Sequence, residues 1–252
     1  MRYPDPVDRR AKETEIGGPA QGFPSTHWAT VLRTRDPASG ERRLALSKLI
    51  EAYWKPVYHY LRRRGNDAES SKDLTQSFFA ALLERDALHD VTEGRGRFRS
   101  FLLAVLRNFV ADEHDRDAAL KRGGGAGTLS LDFASAETNL PWTPASQETP
   151  DAVFRRSWAV RVMAQAWESL REHYASQGRV AEYELLRDHL STAQVPYDEM
   201  ARKLGLTETD IKNRVHAARQ RIAAAIRAVI RSYTDTEDDA KEELRDLLAA
   251  FA

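Results

Sequence analysis

Cysteine is absent from this sequence of 252 residues. Without thiol groups the chain has no disulfide framework, no cysteine-ligated zinc or iron–sulfur site and no cysteine nucleophile. Long apolar runs are lacking too: no window approaches the ~18 consecutive apolar residues of a membrane-spanning helix, and the N-terminus has no apolar signal-peptide core. We therefore expect a cytoplasmic protein of one or two small domains.

An overall excess of charge is also missing, since 38 basic residues balance 38 acidic ones. The distribution along the chain is uneven. Residues 25–122 carry 18 basic and 14 acidic groups, and residues 151–233 carry 14 and 10. Residues 123–150 have three acidic groups and no basic one, whereas residues 234–252 have seven acidic and two basic groups. Two mildly basic blocks are therefore compatible with a nucleic-acid partner despite the neutral total.

Both basic blocks show helical spacing of apolar residues, and no strand-like alternation competes with it. Four of the ten prolines lie in residues 1–24, and four glycines lie in residues 123–127. The pattern predicts an all-α protein with two helical domains. The predicted segments are a mobile N-terminal arm at 1–24, a helical domain at 25–122, a flexible linker at 123–150, a helix-turn-helix domain at 151–233 and an acidic C-terminal helix at 234–252.

The stretch YDEMARKLGLTETDIKNRVHAARQR is built like a helix-turn-helix. Ala201 allows two helices to approach closely, Gly205 suits a sharp turn, and Thr207 with Asp210 forms a capping-box-like start. No acidic residue occurs in residues 211–234, and the predicted outward face can meet phosphates and base edges. That face consists of Lys212, Asn213, His216, Arg219, Gln220 and Arg227. The alternative is a helical hairpin whose basic face is simply solvated.

The first block combines arginines with aromatic residues, which suits single-stranded DNA. Arg95, Arg97 and Arg99 precede or begin an aromatic-rich helix that later carries Arg107 and Asn108. The alternative is that its aromatic side chains, Phe98, Phe101 and Phe109, belong to the core, because they lie at helical spacing. By default, the arginine triplet at residues 62–64 is a solvated helix end.

A catalytic site is not expected. The densest carboxylate cluster is DEHDRD at residues 112–117, and it matches no known arrangement of catalytic residues. No two histidines share a helix at metal-ligand spacing. The GGGAG stretch lacks the Lys and Ser or Thr of a nucleotide-binding loop. We therefore expect no enzyme activity, no cofactor and no metal.

The two helical blocks and the helix-turn-helix together resemble the extracytoplasmic-function group of bacterial RNA polymerase sigma factors. AYWKPVYHYLRRRG, KDLTQSFFAALLE and GRFRSFLLAVLRNFVADEHDR are similar to successive segments of that group's promoter-melting domain. The second-block motif is similar to its helix-turn-helix. FPSTHWATV, KRGGG, LSLDF and EELRDLLAAF further resemble a longer subgroup with added ends.

The resemblance implies a non-enzymatic subunit that binds core RNA polymerase and promoter DNA. The opened downstream element would meet the loop at residues 92–97 and the helix after it, through Arg95, Arg97, Arg99, Ser100, Arg107 and Asn108. The upstream element would meet Thr209, Lys212, Asn213, His216, Arg219 and Gln220. The polymerase would be held through Asp73, Thr75, Gln76, Ser77 and Phe78.

One departure from the group concerns the polymerase-docking segment, which usually carries several carboxylates in a pattern like DAEDLVQEVF. This sequence keeps Asp73 but has Ser70, Lys72 and Ser77 where acids are expected. A phosphate adds about −1.5 to −2 charge, enough to replace roughly two carboxylates. Some members with depleted acids are activated by Ser/Thr kinases, so the resemblance predicts phosphorylation, first at Thr75 and otherwise at Ser70, Ser71 or Ser77. The alternative is that Thr75 simply caps or packs, as hydroxyl residues in helices often do. An anti-sigma factor is a further expected type of partner.

The alternative function is a stand-alone helix-turn-helix transcriptional regulator. Such a protein would bind duplex operator DNA tightly by itself, whereas a sigma factor would co-purify with core polymerase. The sequence leaves the promoter, the inducing signal and the oligomeric state open.

Overall fold

The computed structural model describes residues 40–84, 98–117, 131–138, 147–191, 195–231, 234 and 236–251. The predicted N-terminal arm at 1–24 and the loop at 92–97, with Arg95 and Arg97, lie outside these residues. Regular structure within the described residues is entirely helical, which confirms the all-α prediction. None of the described helices is both long and apolar enough to cross a bilayer.

Nine helices make up the described part of the chain. In chain order they are α1 (Gly40–Arg63), α2 (Ala68–Glu84), α3 (Phe98–Asp117), α4 (Phe133–Thr138), α5 (Pro150–Ala175), α6 (Val180–Leu190), α7 (Tyr197–Leu204), α8 (Glu208–Arg231) and α9 (Glu237–Ala249).

Helix α1 forms the centre of the first core. Its apolar positions at residues 53–61 cover most of the helix circumference, and every side chain in that stretch except Lys55 is buried. A helix that is apolar on nearly all sides must be surrounded by other elements. Helices α2, α4 and α5 pack on α1 accordingly.

Two clusters of buried residues divide the described helices. The first combines α1 to α4 with the N-terminal half of α5, the end of α8 and α9. The second combines the end of α5 with α6, α7 and the start of α8. Helices α5 and α8 run through both clusters: Phe154 and Ile230 lie in the first, and Leu170 and Ile211 in the second. The division between clusters therefore falls within two long helices.

Part of the predicted linker is ordered against α1. Residues 133–138 form α4, and Ala136 is fully buried. The Tyr58 hydroxyl donates to Glu137 Oε2 at 2.6 Å, and Lys55 Nζ donates to Ser135 Oγ at 3.2 Å. The flexible-linker description is thus wrong for these residues, because Leu131, Phe133 and Ala136 supply an apolar stripe that α1 can bury.

The acidic C-terminal stretch forms a helix, as its periodicity predicts. The Thr236 hydroxyl caps α9 by accepting from the Asp239 backbone N–H at 3.2 Å. Leu247 is buried and Leu244 packs partly on the first cluster. Leu248 and Phe251, which continue the same three- and four-residue spacing, are 66% and 54% exposed. Leu248 lies at the flank of the stripe, and Phe251 comes after the helix has ended at Ala249.

Candidate nucleic-acid and polymerase interface

The turn between α7 and α8 has the geometry predicted for a helix-turn-helix. Gly205 ends α7 in the left-handed conformation, with φ 65° and ψ 38°. The backbone N–H of Leu206 donates to the Ala201 carbonyl at 3.0 Å, which closes the turn. Ala201 and Met200 are buried where α7 approaches α8. Ala201 and Gly205 therefore occupy the positions that the helix-turn-helix pattern predicts for a small side chain and for a glycine.

Reciprocal hydrogen bonds fix the first turn of α8. The Asp210 backbone N–H donates to Thr207 Oγ1 at 3.2 Å, while the Thr207 backbone N–H donates to Asp210 Oδ2 at 3.1 Å. The Thr207 hydroxyl also donates to Asp210 Oδ2 at 2.6 Å. These bonds from Thr207 lower the pKa of Asp210, so the carboxylate is charged at the helix start. The capping box predicted from sequence is present.

Helix α8 presents its predicted DNA-reading residues to solvent. Ile211, Val215 and Ala218 are fully buried and fix the opposite face of the helix. The exposed side chains are Thr209, Lys212, Asn213, His216, Arg219 and Gln220. All six therefore share the solvent side of one helix.

A buried carboxylate that no sequence pattern identifies positions α6 against α8. Glu182 is 5% exposed and pairs with Arg179 at the start of its own helix at 2.6 Å. Arg214, on the flank of α8, reaches the same carboxylate. Glu182 and Arg214 are 32 residues apart in sequence, so local periodicity could not pair them. Arg214 is thereby turned toward the protein and away from the exposed face.

Helix α3 exposes only some of its predicted DNA contacts. Ser100, Arg107 and Asn108 are exposed, whereas Arg99 is 4% exposed. Arg107 forms an ion pair with Asp151 at the start of α5, and hydrogen bonding to Asp151 raises the pKa of Arg107. Phe101 and Phe109 pack partly against the first cluster, so for these two the core interpretation is confirmed.

The burial of Arg99 corrects the prediction that it is a solvent-facing DNA contact. Its guanidinium lies over the Trp158 ring, 3.9 Å from the centroid. Nη2 donates to Glu243 Oε1 at 3.3 Å and to the Asp246 carboxylate. Both acids lie on α9, more than 140 residues further along the chain. In this conformation Arg99 connects α3, α5 and α9 and does not reach solvent.

The arginine triplet at the end of α1 is also not simply solvated. Arg62 holds Glu137 of α4 with two hydrogen bonds, Nε to Oε2 at 2.9 Å and Nη2 to Oε1 at 2.6 Å. This bidentate contact raises the pKa of Arg62 and lowers that of Glu137. Arg63 Nε donates to the Glu148 carbonyl at 2.7 Å. The default expectation holds only for Arg64, which is exposed.

The predicted polymerase-docking residues of α2 differ in exposure. Asp73 is exposed, and Gln76 and Ser77 are half-buried. Thr75 is fully buried, and its hydroxyl donates to the Ser71 carbonyl at 2.6 Å. Phe78 is 1% exposed and meets Phe109 edge to face, with the centroids 5.5 Å apart. The burial of Thr75 and Phe78 does not fit the expected polymerase contacts, because the stripe of α2 that contains them faces the core.

The solvent side of α2 carries few charges. Asp67 precedes the helix and accepts from the Ser70 backbone N–H at 2.7 Å. Glu69 lies 3.7 Å from Lys72, which offsets its charge. Among the phosphorylation candidates Ser70 is exposed, Ser77 is half-buried and Ser71 is buried with Thr75.

A buried histidine connects the helices behind these surfaces. His59 Nε2 lies 3.1 Å from the Ala136 carbonyl, and Nδ1 lies 2.8 Å from Ser157 Oγ. A carbonyl can only accept, so Nε2 carries the proton and Nδ1 accepts from the hydroxyl. Burial lowers the pKa of His59 to about 4, which keeps the ring neutral near pH 7.

Comparison with known proteins adds two matches. Residues 49–119, which include most of α1, all of α2 and all of α3, match the family Sigma-70 region 2. The RNA polymerase sigma factor YlaC of Bacillus subtilis (strain 168) is 21% identical over 179 residues, which cover 71% of this chain and 90% of that protein. No solved structure matches the chain.

Proposed function

We propose that this chain is an RNA polymerase sigma factor that recruits core polymerase and directs it to a specific class of promoter. The observation that carries this proposal is the combination of a Sigma-70 region 2 match in the first block with an exposed helix-turn-helix face in the second. The first block would bind polymerase and the opened strand, and the second would select the upstream element.

Sequence selection would rest on the exposed face of α8. Asn213 and Gln220 carry amide groups that can bond two atoms of adenine, and Arg219 can do the same with guanine. Lys212 can neutralise a phosphate without reading a base. The capped start of α8 supports this role, because the first turn of a recognition helix is the part that enters the major groove.

Arg219→Ala tests this assignment, with Arg202→Ala as the matched control. Both substitutions remove one exposed arginine, but Arg202 lies on α7 and pairs with Asp198 at 3.6 Å. If Arg219 reads a guanine, its loss should cost about 1–3 kcal/mol, or roughly 5- to 150-fold in binding, at one base position. Binding to single-base promoter variants by the polymerase complex measures this. Equal losses on every variant would show that Arg219 contacts only the backbone.

Melting of the downstream element would involve α3 and the residues before it. Ser100 and Asn108 are exposed on α3, and Arg107 is exposed although paired with Asp151. Arg95 and Arg97 would complete this set. These exposed basic and amide side chains suit the backbone of a single strand, whereas Phe101 and Phe109 pack on the first cluster.

Polymerase docking through α2 would be weak without modification. Its exposed acids are few, and Glu69 is offset by Lys72. We therefore also propose that a Ser/Thr kinase supplies the missing negative charge in α2. Ser70 is exposed in the first turn, where a phosphate also interacts favourably with the helix dipole. Thr75, the first candidate from sequence, is buried, so a kinase could reach it only after α2 opens locally.

Separate variants distinguish these sites. Ser70→Ala should abolish kinase-dependent transcription if Ser70 carries the phosphate, and Thr75→Val should do so if Thr75 does. Valine keeps the buried volume of Thr75 while removing its hydroxyl, so the effect on packing is small. Transcription with core polymerase is measured with and without kinase treatment. Full activity of the untreated chain would contradict the proposed activation by phosphorylation and leave polymerase docking to Asp73 and its exposed neighbours.

Regulation by an anti-sigma factor would give a different result: removal of that partner protein would restore activity.

The alternative function is a stand-alone helix-turn-helix transcriptional regulator. A chain that binds duplex operator DNA tightly by itself and never co-elutes with core polymerase would support that alternative. Co-elution combined with promoter-dependent transcription would support the sigma function.

A further inference from the structure

Three arginines in the first block are neutralised by acids from the C-terminal half of the chain. Arg62 pairs with Glu137 of α4 and Arg107 with Asp151 of α5. Arg99 pairs with two carboxylates of α9. Two of these arginines, Arg99 and Arg107, are predicted to hold the opened promoter strand, and the acids opposite them come from elements that lie outside residues 49–119.

The contact between α9 and Arg99 buries the charge almost completely. Arg99 and Glu243 are each 4% exposed, and the guanidinium also covers the Trp158 ring. Leu247, one turn after Glu243, is 2% exposed and fixes α9 in the first cluster. A phosphate approaching α3 at this position would therefore meet carboxylates and not an available arginine.

Several features of this contact make it displaceable. Among the described residues Arg99 Nη1 has no hydrogen-bond partner, and a buried ion pair with an unmet donor contributes little net stability. A cleft of about 310 Å³, lined in part by Arg99, Ser100, Arg155 and Asp246, lies beside the last turn of α9. Leu248 at that end is exposed. The helix is thus held by its contact with Arg99, by an exposed ion pair between Glu237 and Arg231 of α8, and by a narrow apolar stripe.

We propose that α9 is a built-in competitor of promoter DNA. The carboxylates of Glu243 and Asp246 occupy the place beside Arg99 that phosphates of the opened strand would take, so α9 must leave α3 before the first block can hold that strand. The acidic composition of the tail, seven acidic groups against two basic ones in residues 234–252, suits a helix that substitutes for a polyanion. This inference rests on the proposed role of α3 in strand binding.

The direct test uses Asp246→Asn in the full chain, with Asp238→Asn as the matched control. Both remove one negative charge from α9, but Asp246 contacts Arg99 whereas Asp238 is exposed and pairs with Lys241. Affinity for a fluorescent oligothymidine is measured by anisotropy at low salt. Asp246→Asn should bind about fivefold more tightly or better than Asp238→Asn, because it raises the fraction of open chain. Equal affinities would overturn the proposal.

A second measurement on the unaltered protein covers the case in which Asp246→Asn folds poorly. Hydrogen exchange of the amides of residues 237–249 should be slow in the free chain and much faster in the open complex with core polymerase and promoter DNA. Continued protection of α9 in an active open complex would refute competition while leaving the sigma function intact. Failure of the chain to bind core polymerase would instead refute the proposed function, and the oligothymidine comparison would still report on α9.

Discussion

Gly205 tests the turn that positions α8, the proposed recognition helix. The residue has φ 65°, and a methyl group built on its Cα would meet no atom within 4 Å. Gly205→Ala therefore adds no clash, and its effect comes from backbone conformation alone. Placing an L-residue in the left-handed region costs about 1–2 kcal/mol, and the reduced freedom of the unfolded chain offsets about 0.4–1 kcal/mol of this.

The net loss should be about 1 kcal/mol, which corresponds to a fall in Tm of roughly 2–4 °C for a chain of this size. Gly205→Asn should lose less, because asparagine tolerates the left-handed region. Gly178→Ala is the matched control, since Gly178 has φ 68° and equally open surroundings in the turn before α6. Denaturant titration followed by circular dichroism gives the free energies of unfolding. A neutral or stabilising effect of Gly205→Ala, with Gly178→Ala destabilising, would show that the helix-turn-helix does not contain this turn.

Three other parts of the fold can be tested individually. Thr207→Ala removes the side-chain cap of α8 and should lower stability by about 1 kcal/mol in denaturant titration, whereas Thr207→Ser should retain most of it. Because burial lowers the pKa of His59, its neutral ring contributes fully to the free energy of unfolding above about pH 6.5, and this contribution is lost as pH falls toward about 4. The free energy of unfolding should therefore drop by up to about 3 kcal/mol over that range, and His59→Gln should make the drop smaller. Limited proteolysis followed by mass spectrometry should cut first in the glycine-rich residues 123–130, before residues 131–138, and earlier cleavage inside α4 would contradict its packing on α1.

The helices and the helix-turn-helix were predictable because their signals are local. Three- and four-residue spacing identifies the buried stripe of α1, and the Gly205 turn and the bonds between Thr207 and Asp210 involve residues within one or two turns of each other. Such features depend little on the rest of the chain. The exposed face of α8 followed from the same periodicity, since burial of Ile211 and Val215 determines which side faces solvent.

The pairing of distant charges was not predictable in the same way. Charged residues on a helix are solvated by default, so Arg99 was expected outside, and its partners Glu243 and Asp246 are brought to it only by the packing of α9. The burial of Thr75 was not predictable either. Helical spacing identifies the residues on the apolar face of a helix, but it does not tell how many positions beside that face become buried when other helices pack on it. The hydroxyl can satisfy itself with the Ser71 carbonyl, and therefore a polar residue fits the buried side of α2.

If this chain acts as a polymerase subunit, its addition should change where core RNA polymerase starts transcription. The most direct measurement is transcription by purified core RNA polymerase from a library of genomic promoter fragments, with and without the chain, followed by mapping of the transcript starts. A polymerase subunit should produce chain-dependent starts that share one upstream and one downstream element, and kinase treatment should raise their yield. The chain is not a polymerase subunit if its addition leaves the set of transcripts unchanged, both with and without kinase treatment, and if the chain alone binds duplex operator DNA tightly.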